Sequence, residues 1–102
     1  MINNHYGIIG GGINGLSVAR QLLLDFPESR VTVFEKEVEV AQHQSSHNSG
    51  VVHAGLYYEP NSLKARLCRR GAELVKHYCL ENNIAYDECG KVVVALNEIE
   101  EK

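Results

Sequence analysis

The order of apolar and polar residues divides the first third of the chain into a strand, a helix and a second strand. The apolar run YGII at residues 6–9 ends in glycine, and residues 13–26 carry apolar side chains at the three- and four-residue spacing of an amphipathic helix. The β-branched run RVTVFE at residues 30–35 follows Pro27 and is typical of a strand. Because successive parallel strands need a helical crossover, this order predicts a βαβ unit. The helical stripe consists of Leu16, Ala19, Leu23 and Phe26.

A long loop and a long helix are predicted next. Residues 36–60 have no sustained periodicity, apart from VEVA at residues 38–41, which is compatible with one helical turn. A loop of this length inside a compact domain is usually functional. Either Asn61 or Ser62 caps a helix that ends near Asn82. Its apolar stripe consists of Leu67, Cys68, Gly71, Ala72, Val75, Tyr78 and Cys79.

The last residues predict a further strand and a truncated helix. Gly90 precedes KVVVAL at residues 91–96, a β-branched run, and residues 97–102 resemble the start of a helix. Two parallel strands with one crossover do not cover both faces of a sheet, and the further strand has no evident partner. We therefore expect residues 1–102 to be the N-terminal part of a larger α/β protein.

Charge and hydropathy exclude several classes of function. Ten Lys and Arg against thirteen Asp and Glu give a net charge of −3, so a nucleic-acid partner is not expected. No segment approaches the roughly 18 uninterrupted apolar residues of a membrane span, and the N-terminus lacks the basic region of a secretory signal. We expect a cytoplasmic protein, with peripheral attachment to the inner face of the cell membrane left open.

Three cysteines, Cys68, Cys79 and Cys89, fit neither a zinc site nor a disulfide. On one helix, Cys68 and Cys79 would lie about 16 Å apart, whereas a disulfide needs Cα atoms within roughly 7 Å. Reduced, buried thiols are the expected state.

A glycine-rich turn, GGGING, joins the first strand to the first helix. Gly10, Gly12 and Gly15 occupy the G-x-G-x-x-G positions, whose glycines serve a tight turn, close approach to a pyrophosphate and close packing of helix on strand. Glu35 ends the second strand, where a carboxylate can accept hydrogen bonds from a ribose diol and would repel a 2′-phosphate. The pattern predicts binding of FAD or NAD rather than NADP. The alternative is a glycine turn that only packs the βαβ unit.

The segment HQSSHNSGVVHAGLYY at residues 43–58 concentrates three histidines and three serines. His43 and His47 are spaced like metal ligands on a helix, but QSSH favours helix poorly and no ligand set is complete, so no metal site is expected. A Ser–His nucleophile pair lacks a G-x-S-x-G elbow. A loop that leaves the second strand emerges at the carboxyl end of the sheet, where ligands bind, and this favours a contact with the dinucleotide.

Three stretches together resemble the N-terminus of the FAD-dependent oxidoreductases of the D-amino-acid-oxidase-like superfamily. They are IIGGGINGLSVARQLL, VTVFEKE and VAQHQSSHNSGVVHAGLYYEPNSLKARLCRRGAELVKHYC. HNSGVVHAGLYY, followed by a proline and by SLKA and LC, is most similar to the branch that oxidises L-2-hydroxyglutarate. The resemblance covers essentially the whole chain, although members of the family are several times longer.

The resemblance implies a Rossmann-like FAD-binding domain, of which residues 1–102 form the N-terminal part, within a two-domain flavoenzyme whose substrate domain is largely absent from this chain. It also implies oxidation of a small 2-hydroxyacid, L-2-hydroxyglutarate, to 2-oxoglutarate, with electrons passing through FAD to oxygen or a membrane quinone. The chain alone is then expected to be inactive. The alternatives are a sister flavoenzyme acting on an amino acid or glycerol 3-phosphate, or a truncated fragment that binds a nucleotide without catalysis.

Site residues also follow from the resemblance. His53 would lie close to the flavin as an acid/base or flavin-tuning group, or would only form hydrogen bonds within its loop. The family's loop has a glycine near Ser46, so serine there is a departure. The implied cofactor contacts are Gly10, Gly12, Gly15, Glu35, Ser45, Ser46, Asn48, Ser49 and Gly50.

Overall fold

The computed structural model describes residues 3–99, which form two strands and two helices. Strand β1 spans His5–Ile9, helix α1 spans Ile13–Asp25, strand β2 spans Arg30–Phe34, and helix α2 spans Leu63–Glu81. The predicted strand, helix, strand and long helix are therefore confirmed, with ends that differ by one or two residues. The chain divides into two compact units, one up to Gly50 and one from Val51 onward.

In the first unit, β1 and β2 pair in parallel, as the βαβ prediction requires. The register aligns His5 with Arg30 and Ile9 with Phe34. One further hydrogen bond, from the Gly10 N–H to the Phe34 carbonyl at 2.8 Å, continues the pairing past the end of β1. The two strands thus end at the same edge, where the glycine turn and the loop after β2 begin.

Helix α1 packs on this sheet through small residues. Ala19 is 8% exposed and is one of two buried apolar side chains among the described residues. The helix ends one residue earlier than predicted, because Phe26 leaves the helical conformation while its N–H still donates to the Leu22 carbonyl at 2.9 Å. Both the N–H and the hydroxyl of Ser29 then donate to the Phe26 carbonyl, which turns the chain toward β2.

In the second unit, α2 begins at the cap that the sequence left undecided between two residues. The Ser62 hydroxyl accepts a hydrogen bond from the Ala65 N–H at 3.1 Å, while Asn61 adopts a positive φ of 64° just before it. Of the predicted apolar stripe, Cys79 is buried at 9% exposure, and Cys68, Gly71 and Ala72 are half-buried. The remaining stripe residues, Leu67, Val75 and Tyr78, are exposed.

Some local predictions were wrong. Residues 91–96 form no strand, and Val92 and Val94 are 87% and 70% exposed. A β-branched run needs a neighbouring strand to pair with, and within residues 3–99 the one sheet consists of β1 and β2 alone. Residues 38–41 form no helical turn. Of the helix start predicted at residues 97–102, only a turn at residues 98–99 is seen, and residues 100–102 lie outside the described part.

The cysteines are free thiols, in agreement with the predicted reduced state. Cys79 is buried and Cys68 is half-buried, but Cys89 is exposed, so the prediction of burial was wrong for Cys89. Cys89 lies after α2 in a segment without regular structure, where no packed surface covers it. Neither helix of residues 3–99 has the length and hydropathy needed to cross a membrane.

The Ser62 cap predicts a measurable contribution to stability. In the protein expressed from its complete reading frame, Ser62→Ala removes the acceptor for the Ala65 N–H and should lower the free energy of unfolding by about 1 kcal/mol. Denaturant titration followed by circular dichroism measures this change. Ser17→Ala, on the exposed side of α1, is the matched control. Equal unfolding free energies for the two variants would contradict the role of the cap.

Candidate dinucleotide-binding site

The glycine turn adopts the backbone conformation that the motif predicts. Gly10 has a φ of 106°, in the region where a side chain is strongly disfavoured, so the chain can reverse directly after the last hydrogen bond of the sheet. Gly12 follows in an extended conformation as the N-terminal cap of α1, and its carbonyl accepts from the Leu16 N–H at 3.0 Å. The turn therefore presents the N-terminus of α1 at the carboxyl edge of the sheet.

Gly15 allows the first turn of α1 to pass very close to the end of β1. A Cβ atom at Gly15 would lie 2.0 Å from the Gly10 carbonyl oxygen and 3.3 Å from the Ile8 side chain. Because the first of these atoms belongs to the backbone, no side-chain movement could relieve the clash. Gly15 therefore has the helix-on-strand packing function that its place in the motif predicts.

Ser45 caps α1 from a distant part of the sequence. Gly12 has no side chain with which to cap the helix, and the Ile13 N–H instead donates to the Ser45 hydroxyl at 2.8 Å. A Cβ atom at Gly12 would lie 3.3 Å from the same oxygen. The predicted cofactor contact Ser45 thus lies at the positive end of the helix dipole, where an anion is favoured.

Next to this contact is a shallow pocket of about 250 Å³. The first turn of α1 contains no acidic residue that would repel a phosphate. The free backbone N–H groups of a helix N-terminus, together with nearby hydroxyl and amide side chains, form a donor set suited to a pyrophosphate. The residues that line the pocket are Gly12, Ile13, Asn14, Gln44, Ser45 and Asn48.

Asn48 stabilises the loop after β2 through three side-chain hydrogen bonds. Its side-chain N–H₂ donates to the carbonyls of Gln44 at 2.8 Å and Ser45 at 3.1 Å, and its side-chain oxygen accepts from the Gly50 N–H at 2.8 Å. Gly50 has a positive φ of 65°, which lets the chain turn away after the loop. The Asn48 side chain, which was predicted to contact the cofactor, thus forms hydrogen bonds that stabilise the loop around Ser45. It also lines the pocket.

The remaining serines of the loop lie differently from Ser45. Ser46 and Ser49 are exposed, whereas Ser45 is half-buried. The Ser46 N–H donates to the His43 carbonyl at 3.1 Å in a tight turn. The structure therefore brings Gly12, Ser45 and Asn48 together around one pocket and leaves Ser46 and Ser49 exposed. The cofactor contacts of all these residues stay predictions.

Glu35 lies at the end of β2 with its carboxylate directed at backbone N–H groups. One oxygen accepts from the Glu37 N–H at 3.1 Å, and the other accepts from the Gly11 N–H at 2.7 Å. These hydrogen bonds stabilise the charged form and lower the pKa of Glu35 below its ordinary value of 4.5, and the bond from the Glu37 N–H has the larger effect. Two oxygens offer about four acceptor positions, so acceptor capacity remains for a ribose diol.

Gly11 is a site residue that the motif did not identify, because it occupies a variable position between the fingerprint glycines. It is buried, and a Cβ atom there would lie 3.0 Å from the Glu35 carboxylate and 3.1 Å from the Val40 side chain. Its N–H donates to Glu35, and its carbonyl accepts from the Ala41 N–H at 2.9 Å. Gly11 therefore joins the turn to the loop after β2. The sequence feature that could have identified Gly11 is the run of three successive glycines, since the motif requires only the first and the third.

The histidines of the loop make no recognisable metal centre. His43 Nε2 lies 3.0 Å from the Glu37 carboxylate, and His47 Nδ1 lies 2.8 Å from the His43 carbonyl. Within residues 3–99, no cluster of three or more His, Cys, Asp and Glu side chains is placed to hold a metal ion. The contact between His43 and Glu37 was not predicted from the sequence, since the two residues are six positions apart in a loop without periodicity.

His53 belongs to the second unit, in an exposed segment before α2. Its backbone carbonyl accepts a hydrogen bond from the Cys68 thiol at 3.2 Å. Two residues later, Gly55 has a positive φ of 78°, and its carbonyl accepts from the Tyr58 N–H at 3.3 Å. His53 thus begins a turn that is attached to α2, and its proposed role beside a flavin stays a prediction.

The contrast between two adjacent serines can be tested. Ser45→Ala removes the acceptor for the Ile13 N–H and should lower the free energy of unfolding by about 1 kcal/mol, whereas Ser46→Ala, at an exposed position, should change it by less than about 0.5 kcal/mol. Denaturant titration of both variants of the complete protein measures the difference. A loss for Ser46→Ala as large as that for Ser45→Ala would refute the assignment of the cap.

The lowered pKa of Glu35 predicts a dependence of stability on pH. Because this pKa is lower in the folded than in the unfolded state, the carboxylate contributes stability above pH 4.5, and the contribution is lost as the pH falls through the lowered value. The difference in unfolding free energy between wild type and Glu35→Gln should therefore shrink on acidification. Glu28→Gln, in the exposed turn after α1, is the control. A difference that stays constant from neutral to acidic pH would contradict the hydrogen bonds to Glu35.

Comparison with known proteins agrees with this geometry. The family model described as FAD dependent oxidoreductase matches residues 5–102. The chain is 53% identical over 93 residues to the mitochondrial L-2-hydroxyglutarate dehydrogenase of Dictyostelium discoideum, which covers 91% of this chain and 21% of that protein. It is 55% identical to L-2-hydroxyglutarate dehydrogenase of Salmonella houtenae, over 91% of this chain and 22% of the relative. The human mitochondrial enzyme of the same name is 52% identical, over 91% and 20% respectively.

The chain spans about a fifth of the length of the curated relatives that it matches. The family model nevertheless covers both compact units, from the first strand to the last residue. The glycine turn, the capped helix and the acidic end of β2 all lie within the matched region. The chain belongs to the family of FAD-dependent oxidoreductases.

Proposed function

We propose that this chain forms part of the FAD-binding domain of an enzyme that oxidises the C2 hydroxyl of L-2-hydroxyglutarate to the ketone of 2-oxoglutarate. The observation that carries the proposal is the high identity, along nearly the whole chain, to relatives named L-2-hydroxyglutarate dehydrogenase. The geometry of the glycine turn supports the cofactor, since its features fit a dinucleotide independently of those names.

The residues of the first unit suit the pyrophosphate and the adenosine ribose of FAD. The N-terminus of α1, opened by Gly10 and Gly12 and seated by Gly15, supplies backbone donors for the pyrophosphate. Ser45 supplies a hydroxyl at the same place, and Glu35 keeps acceptor positions for the ribose hydroxyls. The loop from Ser45 to Gly50 continues toward the remainder of the cofactor.

FAD, when bound, would supply the acceptor for the hydride that leaves C2 and would pass the two electrons to oxygen or a membrane quinone. Removal of the hydride must be accompanied by loss of the hydroxyl proton from the substrate. His53 is the residue of this chain that we propose for holding or transferring that proton, because an imidazole changes charge near neutral pH. We expect the residues that bind the two substrate carboxylates to lie mainly outside residues 1–102.

Two further points belong to the proposal. The chain alone should not oxidise L-2-hydroxyglutarate, because it covers only about a fifth of its relatives' length. The enzyme should act in the cytoplasm, either free or attached peripherally to the inner face of the membrane, where a quinone is accessible.

Anaerobic reduction tests the proposed reaction. The protein expressed from its complete reading frame should show the visible absorption of oxidised flavin, and L-2-hydroxyglutarate, but not its D-isomer, should bleach it in the absence of oxygen. The physical reason is that only a substrate whose C2–H bond faces the flavin can deliver the hydride. The 102-residue chain, incubated with added FAD, is the matched control and should cause no bleaching.

Three outcomes would contradict the proposal. A colourless protein would refute FAD binding, and bleaching by an amino acid or by glycerol 3-phosphate alone would assign the chain to a sister flavoenzyme. Turnover of L-2-hydroxyglutarate by residues 1–102 would refute the proposed need for further residues. Oxygen consumption compared with reduction of a soluble quinone identifies the electron acceptor.

A further inference from the structure

Helix α2 holds the segment that contains His53 at two neighbouring points. The Cys68 thiol donates a hydrogen bond to the His53 carbonyl at 3.2 Å. One turn earlier on the helix, the Lys64 ammonium lies 4.4 Å from the centre of the Tyr58 ring, which is a cation–π distance. Lys64 and Cys68 are four residues apart and therefore share a face of α2. Residues 53–58 thus follow the first two turns of this face.

Gly55 turns the backbone of this segment close to the same thiol. Its φ of 78° turns the chain, and a Cβ atom there would lie 3.4 Å from Cys68 Sγ and 3.5 Å from Cys68 Cβ. A side chain at residue 55 would thus be in ordinary van der Waals contact with Cys68, which shows that the turn passes close to this side chain. Cys68 therefore lies beside the turn at Gly55 and also donates to the His53 carbonyl.

The chemistry of a thiol suits this position. Sulfur is a weak hydrogen-bond donor and a large, polarisable atom, so it can reach a backbone carbonyl while filling a gap. Serine at this position keeps a donor but loses bulk, whereas valine keeps comparable bulk but has no donor. The hydrogen bond restrains the peptide group that follows the Cα atom of His53, and it thereby restrains the direction in which the imidazole leaves the backbone.

We propose that Cys68 is a positioning residue for His53. The proposal rests on the function proposed above, because the role of His53 beside the flavin is part of that function. Cys68 acts on the imidazole through the His53 peptide group. Loss of its donor lets the His53 carbonyl turn toward water and changes the orientation of the imidazole, while the helix that carries residue 68 stays folded.

The test compares Cys68→Val with Cys68→Ser in the protein expressed from its complete reading frame. Nuclear magnetic resonance of ¹³C-labelled histidine rings reports the environment of His53, whose signal is identified by its absence in His53→Asn. Cys68→Val should displace the His53 signal by more than its linewidth, and Cys68→Ser should restore it toward the wild-type position. The visible spectrum of bound flavin should change with Cys68→Val and recover with Cys68→Ser. Cys89→Val, at the exposed cysteine, should change neither signal.

Each alternative outcome overturns the proposal. An unchanged His53 signal in Cys68→Val shows that the hydrogen bond does not orient the ring, and an equal displacement in Cys68→Ser shows that bulk alone matters. If Cys68→Val does not fold, Cys68→Ala replaces it as the variant without a donor. The proposed function fails separately: a His53 signal that depends on Cys68, together with an unchanged flavin spectrum in Cys68→Val and His53→Asn, removes His53 from the flavin while leaving its contact with Cys68 intact.

Discussion

The close approach of α1 to the end of β1 is the constraint on which the first unit depends. At Gly15 the helix lies so near the Gly10 carbonyl that a single added carbon would fall 2.0 Å from its oxygen. That approach places the N-terminus of α1 at the carboxyl edge of the parallel strands, where the positive end of the helix dipole favours an anion. The tight turn at Gly10 is needed for the same reason, since a longer connection would carry the helix away from the sheet.

A second contact connects the glycine turn to the loop after β2. The buried Gly11 donates its N–H to Glu35 and receives the Ala41 N–H at its carbonyl, so one residue joins three parts of the chain. The N–H groups of Glu37 and Gly11 together orient the carboxylate of Glu35 and lower its pKa, which favours the charged form before any ligand arrives. Electrostatic preorganisation of this kind reduces the ordering that a bound ribose would otherwise have to impose.

Local patterns in the sequence were sufficient to predict β1, α1, β2 and α2 and to identify the glycine fingerprint. The parallel strands and both helices follow from periodicity. The functions of Gly10 and Gly15 follow from the positive φ that glycine can adopt and from its lack of a Cβ atom. The role of Ser45 as a cap could not be predicted, because it depends on a contact between residues 32 positions apart. The prediction of a strand at residues 91–96 was wrong, because a segment of high β-propensity forms a strand only where it can pair with another strand. The sequence of one segment does not show whether such a partner is present.

The cap of α1 by Ser45 also has a thermodynamic consequence. Closing a loop between Ile13 and Ser45 costs conformational entropy that a single hydrogen bond offsets only in part. Helix initiation and loop order are consequently coupled, so that fraying of either one loosens the other. A dinucleotide that binds both elements would gain affinity from the order already present, and by reciprocity it would raise the melting temperature of the βαβ unit.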